Sequence, residues 1–142
     1  MNECLIPNSG FIYLAQASSK ARGLELLSVR KNLFDDRLFG RLIYKYSNPL
    51  FIQKLDIGDN WKVTENLSPL FAFYQANKYQ CPTELILSNM RLSSTEDLKE
   101  IRDFFVIKRP PRVKKLDMRG NYLTIDQRLM LESHDFDKVL IL

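Results

Sequence analysis

The residues that could do chemistry in this chain are few and lie far apart. The sequence of 142 residues contains one histidine, His134, and two cysteines, Cys4 and Cys81. A nucleophile with its base, or a tetrahedral zinc site, requires such side chains to meet, and no spacing here predicts that they do. The sequence also lacks the phosphate-binding, dinucleotide-binding, metalloprotease and serine-hydrolase motifs. We therefore predict that the chain is not an enzyme, with no catalytic residue, no metal site and no cofactor.

Two aspartates are the exception to this wide spacing. Asp56 and Asp117 occupy equivalent places in predicted strands that one further strand separates, so they should lie roughly 10 Å apart at about 4.8 Å per strand. That distance could suit a pair of catalytic carboxylates. We favour a second interpretation, in which both are solvated or face a partner, because binding surfaces need such charges.

Positive charge is concentrated in one segment, residues 108–115, which carries five lysines and arginines in eight residues. It is either an exposed loop or a contact for an acidic surface. No aromatic residue interrupts it, which argues against single-stranded nucleic acid. The net charge of +4 is compatible with an acidic partner but does not by itself indicate nucleic acid.

The composition predicts a single globular domain, with 45% apolar and 27% charged residues. Two remote cysteines are typical of reduced thiols in the cytosol. No apolar run approaches the roughly 20 residues of a membrane span, and no basic segment opens a secretory signal. We therefore predict a cytoplasmic protein with no membrane contact.

A repeat organises most of the chain. Segments that begin at residues 24, 52, 82 and 113, with a final partial copy from residue 137, align with one another. The fourth place is always leucine and the sixth always apolar. The leucines are Leu27, Leu55, Leu85, Leu116 and Leu140. Successive leucines are separated by 28, 30, 31 and 24 residues. Such self-similarity predicts a repeat fold.

The ninth place of the repeat is asparagine in three of the four complete copies: Asn32, Asn60 and Asn121. An asparagine there can bond to backbone groups that have no partner where a strand ends. The third copy has Met90 in this place. Its neighbour Asn89 would restore the pattern if the strand contained a one-residue bulge.

Alternation of apolar and polar residues in each repeat predicts a strand with one buried face. The segments between strands predict helices. One would begin near Asp35 or Asp36 and the next at Thr64. Capping-box pairs then mark two more starts: Ser93 with Glu96 or Ser94 with Asp97, and Thr124 with Gln127. The chain ends in a predicted strand, residues 139–142.

This pattern resembles the leucine-rich repeat LxxLxLxxNxL, most closely from Val113 to Leu123. The repeat length and its helices are similar to the ribonuclease-inhibitor-like type. The resemblance implies an α/β horseshoe segment, with a parallel sheet on the concave face and helices on the convex face. Residues 23–142 would form about four repeats and a final strand, and residues 1–22 an N-terminal cap. An ordinary α/β domain is the alternative, but it does not explain asparagine at a fixed offset.

The resemblance implies a recognition module that binds another protein. The residues expected to contact the partner project from the concave face or its rim. They are Arg30, Lys31, Lys54, Asp56, Asp59, Trp61, Glu84, Ile86, Ser88, Lys115, Asp117 and Arg119. We expect Leu26, Ile86 and Ile141 to be exposed there among the charges, which is the anatomy of a protein interface. Trp61 is either a binding hot spot at the rim or a packed loop residue.

The partner itself is not encoded in the repeat. Irregular compact repeats resemble the leucine-rich-repeat effectors that intracellular bacterial pathogens deliver into host cells, which would place the chain in the host cytosol. Such a protein would regulate or inhibit a partner enzyme. The open edge of the last strand predicts either that the chain is a fragment of a longer protein or that the edge contacts a partner or a second copy. The alternative is a nucleic-acid-associated protein that uses residues 108–115, which the mixed charge of the concave face disfavours.

Overall fold

The structure is a computed structural model. It describes residues 3–20, 25–32, 34, 53–61, 67, 70–71, 82–106, 112–132 and 139–142. In chain order its elements are α1 (Asn8–Lys20), β1 (Leu26–Ser28), β2 (Lys54–Asp56), β3 (Glu84–Ile86), α2 (Thr95–Val106), β4 (Lys115–Asp117), α3 (Ile125–Glu132) and β5 (Leu140–Ile141). The predicted α/β class is confirmed. The helix starts predicted at Asp35, Asp36 and Thr64 lie outside the described residues, as do Cys81 and His134.

The five strands form one parallel sheet in the order β1-β2-β3-β4-β5, so every strand lies beside its neighbours in the chain. The register pairs equivalent places: Leu27 with Leu55, Leu55 with Leu85, Leu85 with Leu116, and Leu116 with Leu140. The predicted parallel sheet is therefore confirmed. β5 is shorter than the predicted strand 139–142, since only Leu140 and Ile141 have strand geometry.

The core lies against the face of the sheet that carries these leucines. The central ones, Leu55, Leu85 and Leu116, are buried, and Leu27 and Leu140 at the two ends are partly buried. Residues of the sixth place lie beneath them, and α2 adds Leu98, Ile101, Phe104 and Phe105. Phe71 and Phe104 bring their ring centroids to 5.0 Å, so aromatic packing extends the core away from the sheet.

Three buried asparagines connect the ends of the strands. The Asn60 side-chain amide donates to the carbonyls of Ile57, at 2.7 Å, and Val29, at 3.1 Å, and its oxygen accepts the N–H of Asn32 at 2.9 Å. Asn60 therefore satisfies backbone groups of its own repeat and of the repeat before it, and Asn32 satisfies groups of its own repeat and of the N-terminal segment. Asn121 does the same for the third and fourth repeats.

Asn89 does not take the ninth place through a one-residue bulge. The register from β3 to β4 continues without an inserted residue, and Met90 occupies the buried ninth place with no exposed surface. Asn89 instead lies exposed in the turn with a φ of 55°. The geometry of the turn explains why the eighth place holds asparagine and the ninth methionine. The eighth place needs a left-handed backbone, which asparagine tolerates better than methionine.

The same left-handed turn recurs after each of the first four strands. The eighth-place residues Lys31, Asp59, Asn89 and Gly120 all have positive φ, between 52° and 71°. At Gly120 the demand is also steric, because a Cβ atom there would lie 1.8 Å from Oδ1 of Asn89. The turns thus reverse the chain direction in the same way in successive repeats.

Capping side chains fix where two helices begin. Before α3, the N–H of Thr124 donates to Oε1 of Gln127 at 2.9 Å, and the N–H of Gln127 donates to Oγ1 of Thr124 at 3.3 Å. This reciprocal capping box confirms the predicted pair. Before α2 the cap is Ser94, whose Oγ accepts the N–H of Asp97 at 3.3 Å, rather than Ser93.

The N-terminal segment meets the end of β1. The N–H of Glu3 donates to the carbonyl of Arg30 and the N–H of Ile6 to Oδ1 of Asn32. Phe11 and Ile12 of α1 are buried, and Phe11 contacts Phe34 with ring centroids 5.0 Å apart. Within the described ranges, no helix combines the length and apolar character that crossing a bilayer requires.

Candidate functional site on the open face of the sheet

The side of the sheet away from the core presents the third, fifth and seventh places of the repeats, because successive residues of a strand point to opposite faces. We call this surface the open face. Its first row is Leu26, Lys54, Glu84 and Lys115, its second Ser28, Asp56, Ile86, Asp117 and Ile141, and its third Arg30, Gly58, Ser88 and Arg119.

A pocket of about 370 Å³ lies in the middle of the open face. Ile86 of the central strand and Ser88 of the turn after it line the pocket and are buried, and the lining includes four cations. Its lining is Arg30, Lys54, Ile86, Ser88, Asn89, Lys115, Asp117 and Arg119. The fold therefore brings seven of the twelve predicted partner-binding residues into one depression.

Arg30 is held against the second repeat. Its Nε donates to Asp59 at 2.8 Å and one terminal nitrogen donates to Asp56 at 3.2 Å, while the other reaches Oγ of Ser88 at 3.2 Å. Gly58 makes room for this guanidinium, because a Cβ there would lie 3.0 Å from Cζ of Arg30. Burial opposes the charged form, but the hydrogen bond with Asp59 and the charges of both aspartates outweigh it and raise the pKa of Arg30.

Arg119 holds Asp117 in a bidentate pair, with Nε 3.0 Å from Oδ1 and a terminal nitrogen 2.6 Å from Oδ2. The carboxylate is 3% exposed and the guanidinium 62% exposed. Hydrogen bonding from Arg119 outweighs burial and lowers the pKa of Asp117, which therefore stays ionised at neutral pH.

These contacts correct the expectation that the two aspartates are solvated; that they face a partner stays a prediction. Asp56 and Asp117 are buried rather than solvated, because Arg30 and Arg119 cover them and replace water as hydrogen-bond donors. Ile86 does lie between them in the register, as predicted. A carboxylate held ionised by arginine has no proton to give, so Asp117 is unsuited to act as a general acid.

The apolar residues of the open face also differ from expectation. Ile86 is 7% exposed, since the flanking side chains of β2 and β4 rise above it and leave it on the pocket floor. Ile141 is half-buried at the edge of the sheet. Only Leu26 of the three is exposed.

The first row carries a weaker ion pair. Nζ of Lys54 lies 3.2 Å from Glu84, and both side chains are more than a third exposed, so water screens their attraction. Lys115, on the other side of Glu84, differs from the other pocket cations. Its ammonium forms no hydrogen bond or ion pair with any residue in the described part of the chain.

The remaining predicted residues lie around the pocket rather than in it. Asp56, Asp59 and Glu84 hold the cations, as described. Lys31 lies outside and pairs with Glu3 at 2.6 Å on the surface. Trp61 is 49% exposed, with Cζ of Arg91 5.2 Å from its ring centroid.

The sequence analysis missed two further surface residues of this region, Arg91 and Tyr122. They occupy the same tenth place as Trp61, one residue after the buried ninth place, and Tyr122 is 66% exposed. Aligning the tenth place across the repeats would have found this row, since Trp, Arg and Tyr are the residue types most enriched in binding hot spots.

The basic run meets this site at its last residue, Lys115, which lines the pocket, and residues 108–111 of the run lie outside the described residues. Cys4 is exposed. Among the described residues, no group of three or more histidines, cysteines and carboxylates could hold a metal ion.

Comparison of the chain with protein-family models, with curated proteins and with solved structures finds no match. What the protein does is therefore inferred from the geometry of the open face.

Proposed function

We propose that the chain is a leucine-rich-repeat solenoid of the ribonuclease-inhibitor-like type and that the open face is its concave binding surface. Three features support this: the sequential parallel order of the strands, the one-to-one register of the leucines, and the asparagines that bond between successive repeats. In a solenoid each repeat contacts only its neighbours, which this strand order satisfies.

The function we propose is binding to a protein partner through the open face, with regulation or inhibition of that partner as the outcome. The observation that carries it is the central pocket, with a buried apolar floor and a rim of both charge signs. A desolvated centre with a charged rim is how protein interfaces are built. Side chains fixed on strands also lose little conformational entropy when a partner binds.

We place this binding in the cytosol, and in the host cytosol if the chain is a delivered bacterial effector. That setting rests on the resemblance of the repeats to such effectors. Nucleic acid is the less favoured ligand, because Asp56, Asp59, Glu84 and Asp117 stand among the cations of the open face and would repel a polyanion.

The experiment compares two triple variants in affinity purification from the native cell. The face variant carries Lys54→Ala, Lys115→Ala and Trp61→Ala, which spare the buried Asp56 and Ile86. The matched control carries Lys99→Ala, Arg128→Ala and Leu129→Ala on exposed positions of α2 and α3. We expect a partner that the parent chain and the control retain and that the face variant loses, with all three chains unfolding at similar temperatures.

Binding of the purified partner to each chain then measures the loss directly. A partner that binds the face variant as tightly as the parent would reject the open face as the binding surface. Capture that nuclease treatment removes would instead assign a nucleic-acid ligand.

A further inference from the structure

The four cations of the pocket differ in whether they form an ion pair with a carboxylate of the chain. Arg30 bonds to Asp56 and Asp59, Lys54 pairs with Glu84, and Arg119 pairs with Asp117. Lys115 lines the same pocket, but among the described residues its ammonium forms no hydrogen bond or ion pair, and its charge acts on Asp117 only from beyond ion-pair distance. Covering that ammonium with an apolar surface would cost free energy, so a partner that covers the pocket should supply an acceptor to it, and an anion is the strongest one.

We propose that this pocket receives the carboxylate of an aspartate or glutamate from the partner protein, and that Lys115 is the group that binds it. This inference rests on the proposed function and names the chemistry that the partner must present. It assigns a class of ligand to a pocket that is otherwise described only by its volume and its lining.

The second contact in this arrangement is Arg119. Asp117 occupies two of its three guanidinium nitrogens, Nε and one terminal nitrogen, and the side chain is mostly exposed. A guanidinium has five N–H donors, so the other terminal nitrogen can donate to an incoming oxygen. Lys115 and Arg119 flank Asp117 on β4 and the turn after it, and both line the pocket.

The floor of the pocket suits the rest of such a side chain. The volume of about 370 Å³ is ample for an aspartate or glutamate side chain. Ile86 offers an apolar surface for its methylene groups, and the hydroxyl of Ser88 lies beside them in the lining.

The charges around the pocket favour one carboxylate over a polyanion. Four carboxylates belong to the network of the open face: two pair with Arg30, one with Lys54 and one with Arg119. A strand of phosphates would approach several of them at once, whereas a single acidic side chain can meet only the cation that forms no ion pair.

The test uses the full chain and two capped tripeptides, acetyl-Gly-Glu-Gly-amide and acetyl-Gly-Gln-Gly-amide, with inorganic phosphate as a third probe. Amide chemical shifts are followed by NMR during each titration. We expect saturable shifts in β3 and β4 with the glutamate peptide and none with the glutamine peptide. Lys115→Gln should weaken glutamate binding by about fivefold or more, as for loss of one charge contact.

Two further variants complete the design. Lys99→Gln, on the exposed face of α2, is the matched control and should leave the affinity unchanged. Lys115→Glu should lose the glutamate peptide and gain acetyl-Gly-Lys-Gly-amide. Thermal unfolding of each variant establishes that it is folded.

Equal shifts with the glutamine peptide, or unchanged binding to Lys115→Gln, would overturn the inference. So would tighter binding of phosphate than of the glutamate peptide at the same amides, which would assign a phosphate ligand. Failure here is separable from failure of the proposed function. Suppose that a partner no longer binds the triple face variant but binds Lys115→Gln normally. The open face would then stand as the binding surface, and the carboxylate pocket would be rejected.

Discussion

At the scale of single residues, Asp117 shows how a buried charge is retained in this sheet. Its carboxylate accepts two side-chain hydrogen bonds from Arg119 and one from the Arg119 backbone N–H at 3.2 Å. These bonds stabilise the ionised form and lower the pKa of Asp117 below the ordinary value of an aspartate carboxyl. Above that value the ionised carboxylate stabilises the folded state, and the contribution disappears as the pH falls through the lower, folded pKa.

We predict that Asp117→Asn lowers the free energy of unfolding at pH 7 by about 1–3 kcal/mol, because the charge-assisted hydrogen bonds are replaced by weaker ones. The difference between variant and parent should shrink as the pH falls from about 4, the ordinary value of an aspartate, through the lower folded pKa, where the parent carboxylate becomes protonated. Urea unfolding at a series of pH values measures both quantities. Asp126→Asn, on an exposed residue of α3, serves as control. A variant whose deficit stays constant down to pH 2 would contradict the assignment.

At the scale of the elements, the buried asparagines hold successive repeats at the ends of their strands. Asn121 accepts the N–H groups of Met90, at 2.9 Å, and Leu92, at 3.1 Å, and donates to the carbonyls of Leu87 and Met118, both at 2.8 Å. The row has a gap at Met90, which is buried but cannot form these bonds. The second and third repeats are therefore connected by strand pairing and core packing, without hydrogen bonds from a ninth-place asparagine.

We predict that Asn121→Ala lowers the free energy of unfolding by about 3 kcal/mol or more, because four buried backbone groups lose their partner. The adjacent Tyr122→Ala removes a larger but exposed side chain and should change it by about 0.5 kcal/mol or less. Denaturant unfolding of both variants provides the comparison. Similar losses in the two would mean that the asparagine does not connect the repeats.

The sequence was most informative where one residue type had to recur at one place. The leucines, the α/β class, the parallel sheet and the Thr124–Gln127 cap were all predictable, because periodicity and capping are local properties. The burial of Asp56, Asp117 and Ile86 was not, since it depends on which long side chains cross from neighbouring repeats. Whether a bulge brings Asn89 into the ninth place could not be decided from the sequence, because the left-handed turn, rather than the asparagine row, determines which residue occupies the eighth place.

At the scale of the whole molecule, burial of the sheet is graded from its centre to its ends. Leu55, Leu85 and Leu116 are buried, whereas Leu27 of β1 and Leu140 of β5 are partly buried. Each inner strand has a neighbour on both sides, and each outer strand has one. The ends of the sheet should therefore be the least stable part of it.

We predict that Leu85→Ala lowers the free energy of unfolding by about 2–5 kcal/mol, as expected for a fully buried leucine. Leu27→Ala should cost less, because its side chain already contacts solvent in the parent. Hydrogen exchange should likewise show the amides of β3 protected for longer than those of β5. Equal costs at Leu27 and Leu85, or equal protection of the two strands, would show that the sheet unfolds as one uniform unit.

The one-to-one register separates inward-facing from outward-facing positions along every strand. The fourth and sixth places form the interior, and the third, fifth and seventh places form the open face. Sequence changes that accumulate at the outward places can therefore alter the shape and charge of the open face, provided that the arginine–aspartate pairs change together. A lineage of such chains could change this surface while it inherits the same interior, and a designer could do the same in the laboratory.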